Sequence, residues 1–303
     1  MAGQARKADS MRTYHSDAPK DPRPDPLVRV LNLGAGTQST AVALLHLDGS
    51  LPPIDAAVFA DTGWEPREVY DHLAKLHDVF REAGVPLIEV SAAEPIREAT
   101  LDSTKSVASI PAFVDRDGKA GMLPRQCTKH WKVTPVRRAT LAIVAERLGI
   151  EAETWRSIPK DVYVEHVFGI SVDEVQRARS PHDWRMINYY PLLDLGWRRN
   201  DTISYLQENG WNAPRSACIG CPFHSDSEWR RLRDEHPDEW EDAVEFDRQL
   251  RSASKFTQGK SAFGGQVYLH RSLLPLADVD LSTPSEHGQG SLFDGECEGM
   301  CGV

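Results

Sequence analysis

Apolar and polar positions along the chain switch repeatedly between a strand-like and a helix-like pattern. Val28, Val30, Leu31 and Leu33 form a short apolar run rich in β-branched residues, the mark of a buried strand. Residues 34–40 break that run, and residues 41–47 resume in types that favour helix. A second strand is predicted over 54–60, ending in Asp61-Thr62-Gly63-Trp64. Residues 66–83 place Val69, Leu73, Leu76 and Phe80 on one helical face, and 86–90 read as a third strand. This βαβαβ order predicts a parallel sheet with right-handed crossovers and a ligand site at the carboxyl ends of its strands. Asp61 and the loop Gly34, Ala35, Gly36, Thr37, Gln38, Ser39 belong at that end.

Further along, residues 106–123, with Gly118 and Gly121 between short apolar pieces, predict a hairpin or flap. A helix is predicted over 137–148, a strand over 162–170 and a helix over 199–209. Ser171 stands at a helix start, and Glu174 stands three residues on, as in a capping box. Residues 224–250 read as a charged helical region with Trp229, Trp240 and Phe246 as packing residues. The expected fold is α/β, a doubly wound, mostly parallel, Rossmann-like sheet with a helical C-terminal extension. The expected organisation is a disordered leader over 1–26, a nucleotide-binding domain over 27–223, a helical extension over 224–280 and a flexible tail over 281–303.

Composition narrows the function classes. The 303 residues are 40% hydrophobic, enough for a full core, and no apolar run reaches the length of a membrane span. The first residues are polar and lack the apolar centre of a signal peptide, so a cytoplasmic protein is expected. A net charge of −10 argues against wrapping nucleic acid over the whole surface. Arg125, Lys129, Lys132, Arg137 and Arg138 still make a local basic patch. The five cysteines, Cys127, Cys218, Cys221, Cys297 and Cys301, suit metal or redox chemistry better than a disulfide framework in such a chain.

Two stretches carry candidate chemistry. Strand, glycine-bearing turn and helix follow one another around Gly34 to Thr40. Small residues in such a turn leave backbone N–H groups free to face an anion, and the helix start adds positive partial charge. Ser39 and Thr40 can cap that helix or donate to a phosphate oxygen. An ordinary strand-to-helix bend accounts for the glycines equally well, and neither the Walker nor the dinucleotide pattern is present. The second stretch is Cys218-Ile219-Gly220-Cys221, whose spacing lets two thiolates point at one centre. It suits an iron–sulfur or zinc site better than a redox dithiol, which lacks its usual setting here.

Gly34-Ala35-Gly36-Thr37-Gln38-Ser39 resembles the PP-loop of the ATP pyrophosphatases, Ser-Gly-Gly-x-x-Ser, with Gly34-Ala35 for Ser-Gly and Gln38 where many members carry Asp. Asp61-Thr62-Gly63 resembles the Asp-Thr-Gly after the second strand of the phosphoadenosine phosphosulfate reductase family. Residues 126–135 resemble that family's Cys-Cys-x-x-x-Lys-x-x-Pro segment: Cys127, Lys132 and Pro135 match, and Gln126 replaces the first cysteine. The stretch from Gly169 to Arg179 resembles the region that meets the nucleotide's acidic group. Ser171 stands for the usual Arg, which shifts the anion contact to Arg177. Tyr190 to Trp197 resembles the Pro-Leu-x-x-Trp stretch, and the tail around Cys297 loosely resembles the Glu-Cys-Gly end of sulfonucleotide reductases.

The resemblance implies an adenine nucleotide alpha-hydrolase-like fold. It implies ATP, or the sulfonucleotides PAPS or APS, bound by Gly34 to Thr40, Asp61, Gly169 and Arg177, with Mg²⁺ as the accompanying ion. Pairing Cys127 with Cys218 and Cys221 makes a metal centre of three thiolates, suited to a [4Fe–4S] cluster. Lys132, Cys297 and Cys301 are the catalytic candidates. Three functions follow. The first is ATP-dependent sulfur transfer from a sulfur donor to tRNA, DNA or a small molecule. The second is reductive release of sulfite from a sulfonucleotide. The third is a metal-bearing nucleotide-binding subunit without activity of its own. A homodimer is compatible with all three, and no membrane partner is expected.

Overall fold

The computed structural model describes residues 25–104, 110–116, 119–181, 183–252 and 265–282. In chain order the elements are β1 (Val28–Leu33), α1 (Thr37–Leu47), β2 (Ala56–Asp61), α2 (Arg67–Glu82), β3 (Leu87–Ser91) and α3 (Ile96–Leu101). There follow β4 (Phe113–Arg116), β5 (Lys119–Met122), α4 (Thr134–Leu148), β6 (Val164–Phe168), β7 (Met186–Tyr189) and α5 (Pro191–Asp194). The last are α6 (Arg199–Glu208), α7 (Asp226–Glu235), α8 (Pro237–Ser252) and β8 (Gln266–Tyr268). A π-helical turn, Thr128–Val133, leads into α4, and a 3₁₀ turn, Val172–Arg177, follows β6.

The chain divides into two compact units that take alternating stretches of sequence. The first holds residues up to 60, 68–90 and 136–216; the second holds 61–67, 91–135 and 217 onward.

The first unit is built on a five-stranded sheet in the order β3-β2-β1-β6-β7. β1 runs parallel to β2 and to β6, and β6 runs parallel to β7. Side chains alternate between the faces of a strand, so β1 feeds two cores. Leu31 and Leu33 pack with Val42 and Leu45 of α1 and with Val69, Leu73, Leu76 and Phe80 of α2. Val28 and Val30 pack on the other face with Val58, Val164 and the α4 residues Val136, Leu141 and Val144. Cover on both faces lets the central strands read as nearly continuous apolar runs, and this unit is the mostly parallel α/β layer expected from sequence. β7 was not anticipated. Its four residues, Met-Ile-Asn-Tyr, are too short to show a period and are recruited by pairing with β6.

The second unit carries an antiparallel sheet in the order β5-β4-β8. β4 and β5 are the hairpin expected within 106–123. The charged stretch at 224–250 forms two helices, because Pro237 opens α8 directly after α7 has ended. Trp229, Leu232, Phe246 and Leu250 from these helices, with Val114 and Val267 from the sheet and Leu269 just after β8, belong to the core. Asp247 is buried within it. It accepts the Leu269 and Leu276 N–H groups at 2.9 and 2.8 Å and pairs with Arg251.

Among the described residues, no helix is long and apolar enough to cross a membrane.

Candidate functional site

In the first unit, the turn between β1 and α1 is organised around one oxygen. Ser39 Oγ accepts the N–H groups of Gly34 and Gly36, each at 3.2 Å, and donates to the Gly36 carbonyl at 3.2 Å. The convergence of two amides on a single oxygen is the arrangement that holds anions in a cradle or nest; here the oxygen is the hydroxyl of Ser39, and the start of α1 adds its partial positive charge. Ala35 makes this possible by adopting φ +54°. That left-handed conformation is costly for a residue with a Cβ, and it persists here because Ala35 is wholly buried among its neighbours.

Two further stretches press on the cradle. A Cβ at Gly169 would lie 2.7 Å from Ser39 N and 2.8 Å from Gln38 C. One at Gly36 would meet Ser216 Cβ at 3.0 Å. The end of β6 therefore lies against the first turn of α1, as a seat at the carboxyl ends of parallel strands requires.

Gln38 Nε2 donates to Glu174 Oε2 at 3.3 Å, and Arg177 Nη1 pairs with Glu174 Oε1 at 2.8 Å. This corrects the capping-box expectation. Ser171 stands at the start of its turn without a side-chain cap hydrogen bond, and Glu174 departs from helical geometry at φ −113°, ψ 18°. Its carboxylate goes to Gln38 and Arg177. Thr40 is fully buried, and its hydroxyl lies 2.9 Å from His72 Nε2 in the contact between α1 and α2. Burial pulls the His72 pKa down to about 4, helped by Lys75.

In the second unit, Lys132 and Cys218 meet at Glu65, and Cys127 and Cys221 lie within electrostatic reach of Lys132. Cys218 Sγ lies 3.2 Å from Thr62 Oγ1 and 3.6 Å from Glu65 Oε1. Thr62 Oγ1 donates to the same Glu65 oxygen at 2.9 Å. Lys132 Nζ lies 3.9 Å from that oxygen, with 24% of the lysine side chain and 1% of the glutamate side chain exposed. Burial alone would lower the Lys132 pKa. The negative charge of Glu65, then of Cys218, Cys127 and Cys221, outweighs burial and holds the ammonium above its ordinary range. Burial, and after it Glu65, pushes the Cys218 thiol well up, against the pull of Lys132.

Local structure explains these placements. Cys127 directly precedes the π-helical turn, which carries Lys132 and closes with the Thr134 N–H on the Lys129 carbonyl. Such turns widen a helix by one residue and recur at functional sites. Trp131 anchors it, donating from Nε1 to the Glu94 carbonyl at 2.8 Å. In the cysteine loop, the Cys221 N–H donates to the Cys218 carbonyl at 3.0 Å, and the His224 N–H donates to the Cys221 carbonyl at 3.1 Å. Gly220 is required there, because a Cβ would stand 2.1 Å from the Trp64 indole.

Asp61 begins the turn of Asp61-Thr62-Gly63-Trp64 and accepts the Gly63 N–H at 2.7 Å. Cys297 and Cys301 lie outside the described residues. Among the described residues, no three His, Cys, Asp or Glu side chains stand as a ready-made group for one metal ion. The cysteines instead lie within the field of one cation, Lys132, the kind of neighbour that favours sulfur ligation when a metal replaces the thiol proton.

The Asp61-Thr62-Gly63-Trp64 motif ends one residue short of Glu65. The one available signal was an acid directly after Trp64, in a segment ending a buried strand. Nothing local marks Glu174 as the partner of Gln38, 136 positions away. No protein-family model matches the chain, and no curated protein matches it in sequence.

Proposed function

We propose that this chain binds ATP through the turn at Gly34 to Ser39 and uses it for sulfur transfer. The observation that carries the reading is the convergence of the Gly34 and Gly36 amides on one oxygen at the start of α1. In this reading the amides hold the phosphates expelled as pyrophosphate. An oxygen of the acceptor bonds to the α-phosphorus while the bond to the β-phosphate breaks. A sulfur nucleophile then bonds to the acceptor carbon, and AMP departs with the original oxygen.

Cys127, Cys218 and Cys221 would hold a [4Fe–4S] cluster, which when bound supplies a position for sulfide. Such a group would bind the cysteines as thiolates, with loss of their protons; Lys132 beside them would offset part of that charge, and Thr62 contacts the Cys218 sulfur. Lys132 keeps its proton and positions the thiols by charge. Glu65 keeps the lysine in place.

Pyrophosphate release from ATP separates the possible functions. Release that rises with an added acceptor, tRNA, DNA or a small molecule, supports sulfur transfer. Sulfite release from a sulfonucleotide without ATP consumption assigns the reductase instead. Nucleotide retention with neither activity leaves a binding subunit. Protein prepared without oxygen is expected to be brown and to bleach on Cys218→Ala or Cys221→Ala. Stoichiometric zinc with no iron would overturn the cluster.

A further inference from the structure

In the second unit, the turn after β8 is pinned at both ends by one buried carboxylate. Asp247 accepts the N–H of Leu269 before it and of Leu276 after it. Between them the Leu273 N–H closes on the His270 carbonyl at 3.1 Å, and Leu273 takes φ +59°. A leucine stays in that left-handed region only where its surroundings hold it, so the backbone around Ser272 has a fixed shape.

The His270 side chain is 5% exposed, and both ring nitrogens are engaged. Nδ1 lies 2.7 Å from Ser272 Oγ and accepts the Ser272 N–H at 3.1 Å. A backbone amide can only donate, so Nδ1 carries the lone pair and Nε2 carries the ring proton. Nε2 donates that proton to Asp226 Oδ1 at 3.0 Å. Asp226 opens α7, and Arg271 Nη2 donates to its second oxygen at 3.0 Å. Partial burial would raise the Asp226 pKa; the His270 hydrogen bond and the Arg271 charge outweigh it and hold the carboxyl below its usual range.

Closing the turn needs only the Ser272 N–H on Nδ1. The hydroxyl at 2.7 Å is additional, and it places a proton on a basic nitrogen whose ring is oriented by a carboxylate. Ser272 itself is exposed, which leaves it open to an incoming electrophile. A hydroxyl, a base within hydrogen-bond reach and a carboxylate that fixes the base's tautomer are the parts of an activated serine. Here the ring turns Nδ1 to the hydroxyl and Nε2 to the acid, and either nitrogen can take a proton.

We infer that Ser272, activated by His270 and with Asp226 as the positioning residue, accepts an acyl group from an activated ester or thioester. Oγ bonds to the acyl carbon while the bond from that carbon to the leaving oxygen or sulfur breaks. The hydroxyl proton passes to His270 Nδ1 and from there to the leaving group; nothing is oxidised or reduced. The Ser272 and Leu273 amides are already committed to His270 and offer no seat for a developing oxyanion. The acyl group is therefore expected to stay on Ser272 rather than turn over rapidly. This site does not depend on the ATP reading.

The test is acetylation of the full chain by p-nitrophenyl acetate, with the rate at each serine read by peptide mass spectrometry. In folded wild-type protein Ser272 is expected to react at least about a hundredfold faster than the other serines. In urea that preference should vanish. His270→Gln should slow the reaction at Ser272 by about a hundredfold, with circular dichroism confirming its fold. Asp226→Asn should slow it about tenfold, and Asp226→Glu should recover most of the rate. Should His270→Gln fail to fold, the comparison of native with urea-unfolded wild type decides. No preference for Ser272 in the native chain, a preference that survives in urea, or an unchanged rate in folded His270→Gln overturns the inference.

Discussion

Replacing Gly169 with alanine tests whether the end of β6 and the first turn of α1 are in contact as described. The added Cβ would stand 2.7 Å from Ser39 N and 2.8 Å from both Gln38 C and Ser39 Cα. All three are backbone atoms, so no side-chain rotation relieves the clash. Overpacking of this kind costs about 1–3 kcal/mol. The backbone at Gly169 is outside the left-handed region, so alanine adds no dihedral strain. Alanine also restricts the unfolded chain, which returns about 0.4–1 kcal/mol. The expected net loss is therefore about 0–2.6 kcal/mol, towards the upper end because all three contacts fall below 3.0 Å on backbone atoms, or up to roughly 10 °C in Tm.

Gly34→Ala is the control, since its Cβ would meet Ser216 Oγ and Ser39 Oγ at 3.7 Å, an ordinary contact. It should leave Tm within about 2 °C of wild type. Thermal unfolding followed by circular dichroism ranks the two, and titration with a fluorescent ATP analogue reports on the cradle. If the chain binds ATP as proposed, the Gly169 variant should lose most of that affinity, because relieving the clash moves the Ser39 amide and hence α1. A Gly169 variant as stable as wild type, or one less harmful than Gly34→Ala, refutes the contact.

Three further outcomes are expected. Burial holds the pKa values of His46, His72 and His166 down to about 4. The unfolded chain then binds more protons between about pH 6.5 and 4. The stability they contribute is complete above 6.5 and falls by up to about 1.4 kcal/mol per histidine for each pH unit through that window. Urea titrations at several pH values should show this slope, and His72→Gln should make it shallower; an unchanged slope refutes the burial argument. Lys132→Met strips the cation from Glu65 and the thiols and should cost about 1–3 kcal/mol, with Glu65→Gln in the same chain restoring part of it in a double-mutant cycle. Asp247→Asn should destabilise the second unit by about 2–4 kcal/mol, since the carboxylate serves two buried N–H groups and Arg251; a loss below about 0.5 kcal/mol in denaturant unfolding contradicts that role.

Local pattern alone determined the strand-turn-helix at Val28 to Leu47, the amphipathic helix with Val69 and Phe80, and the parallel layer that these imply. Such elements depend on neighbours three or four residues apart and on turn chemistry, so the sequence displays them directly. The glycine-bearing loop and the Cys-x-x-Cys turn were legible for the same reason. Tertiary structure alone decided which acids serve which groups. Thr62 meets Cys218 across 156 positions and Gln38 meets Glu174 across 136, and neither pairing has a periodic signal. Read locally, Glu174 is a capping residue; only the kink at its own backbone and the return of β6 beside β1 turn its carboxylate to the loop. His166 likewise gives no local sign that pairing between Val30 and Asn188 will bury it. Its charge state, like that of Lys132, follows from the surroundings that folding assembles, because the free energy of a charge depends on the groups and solvent around it.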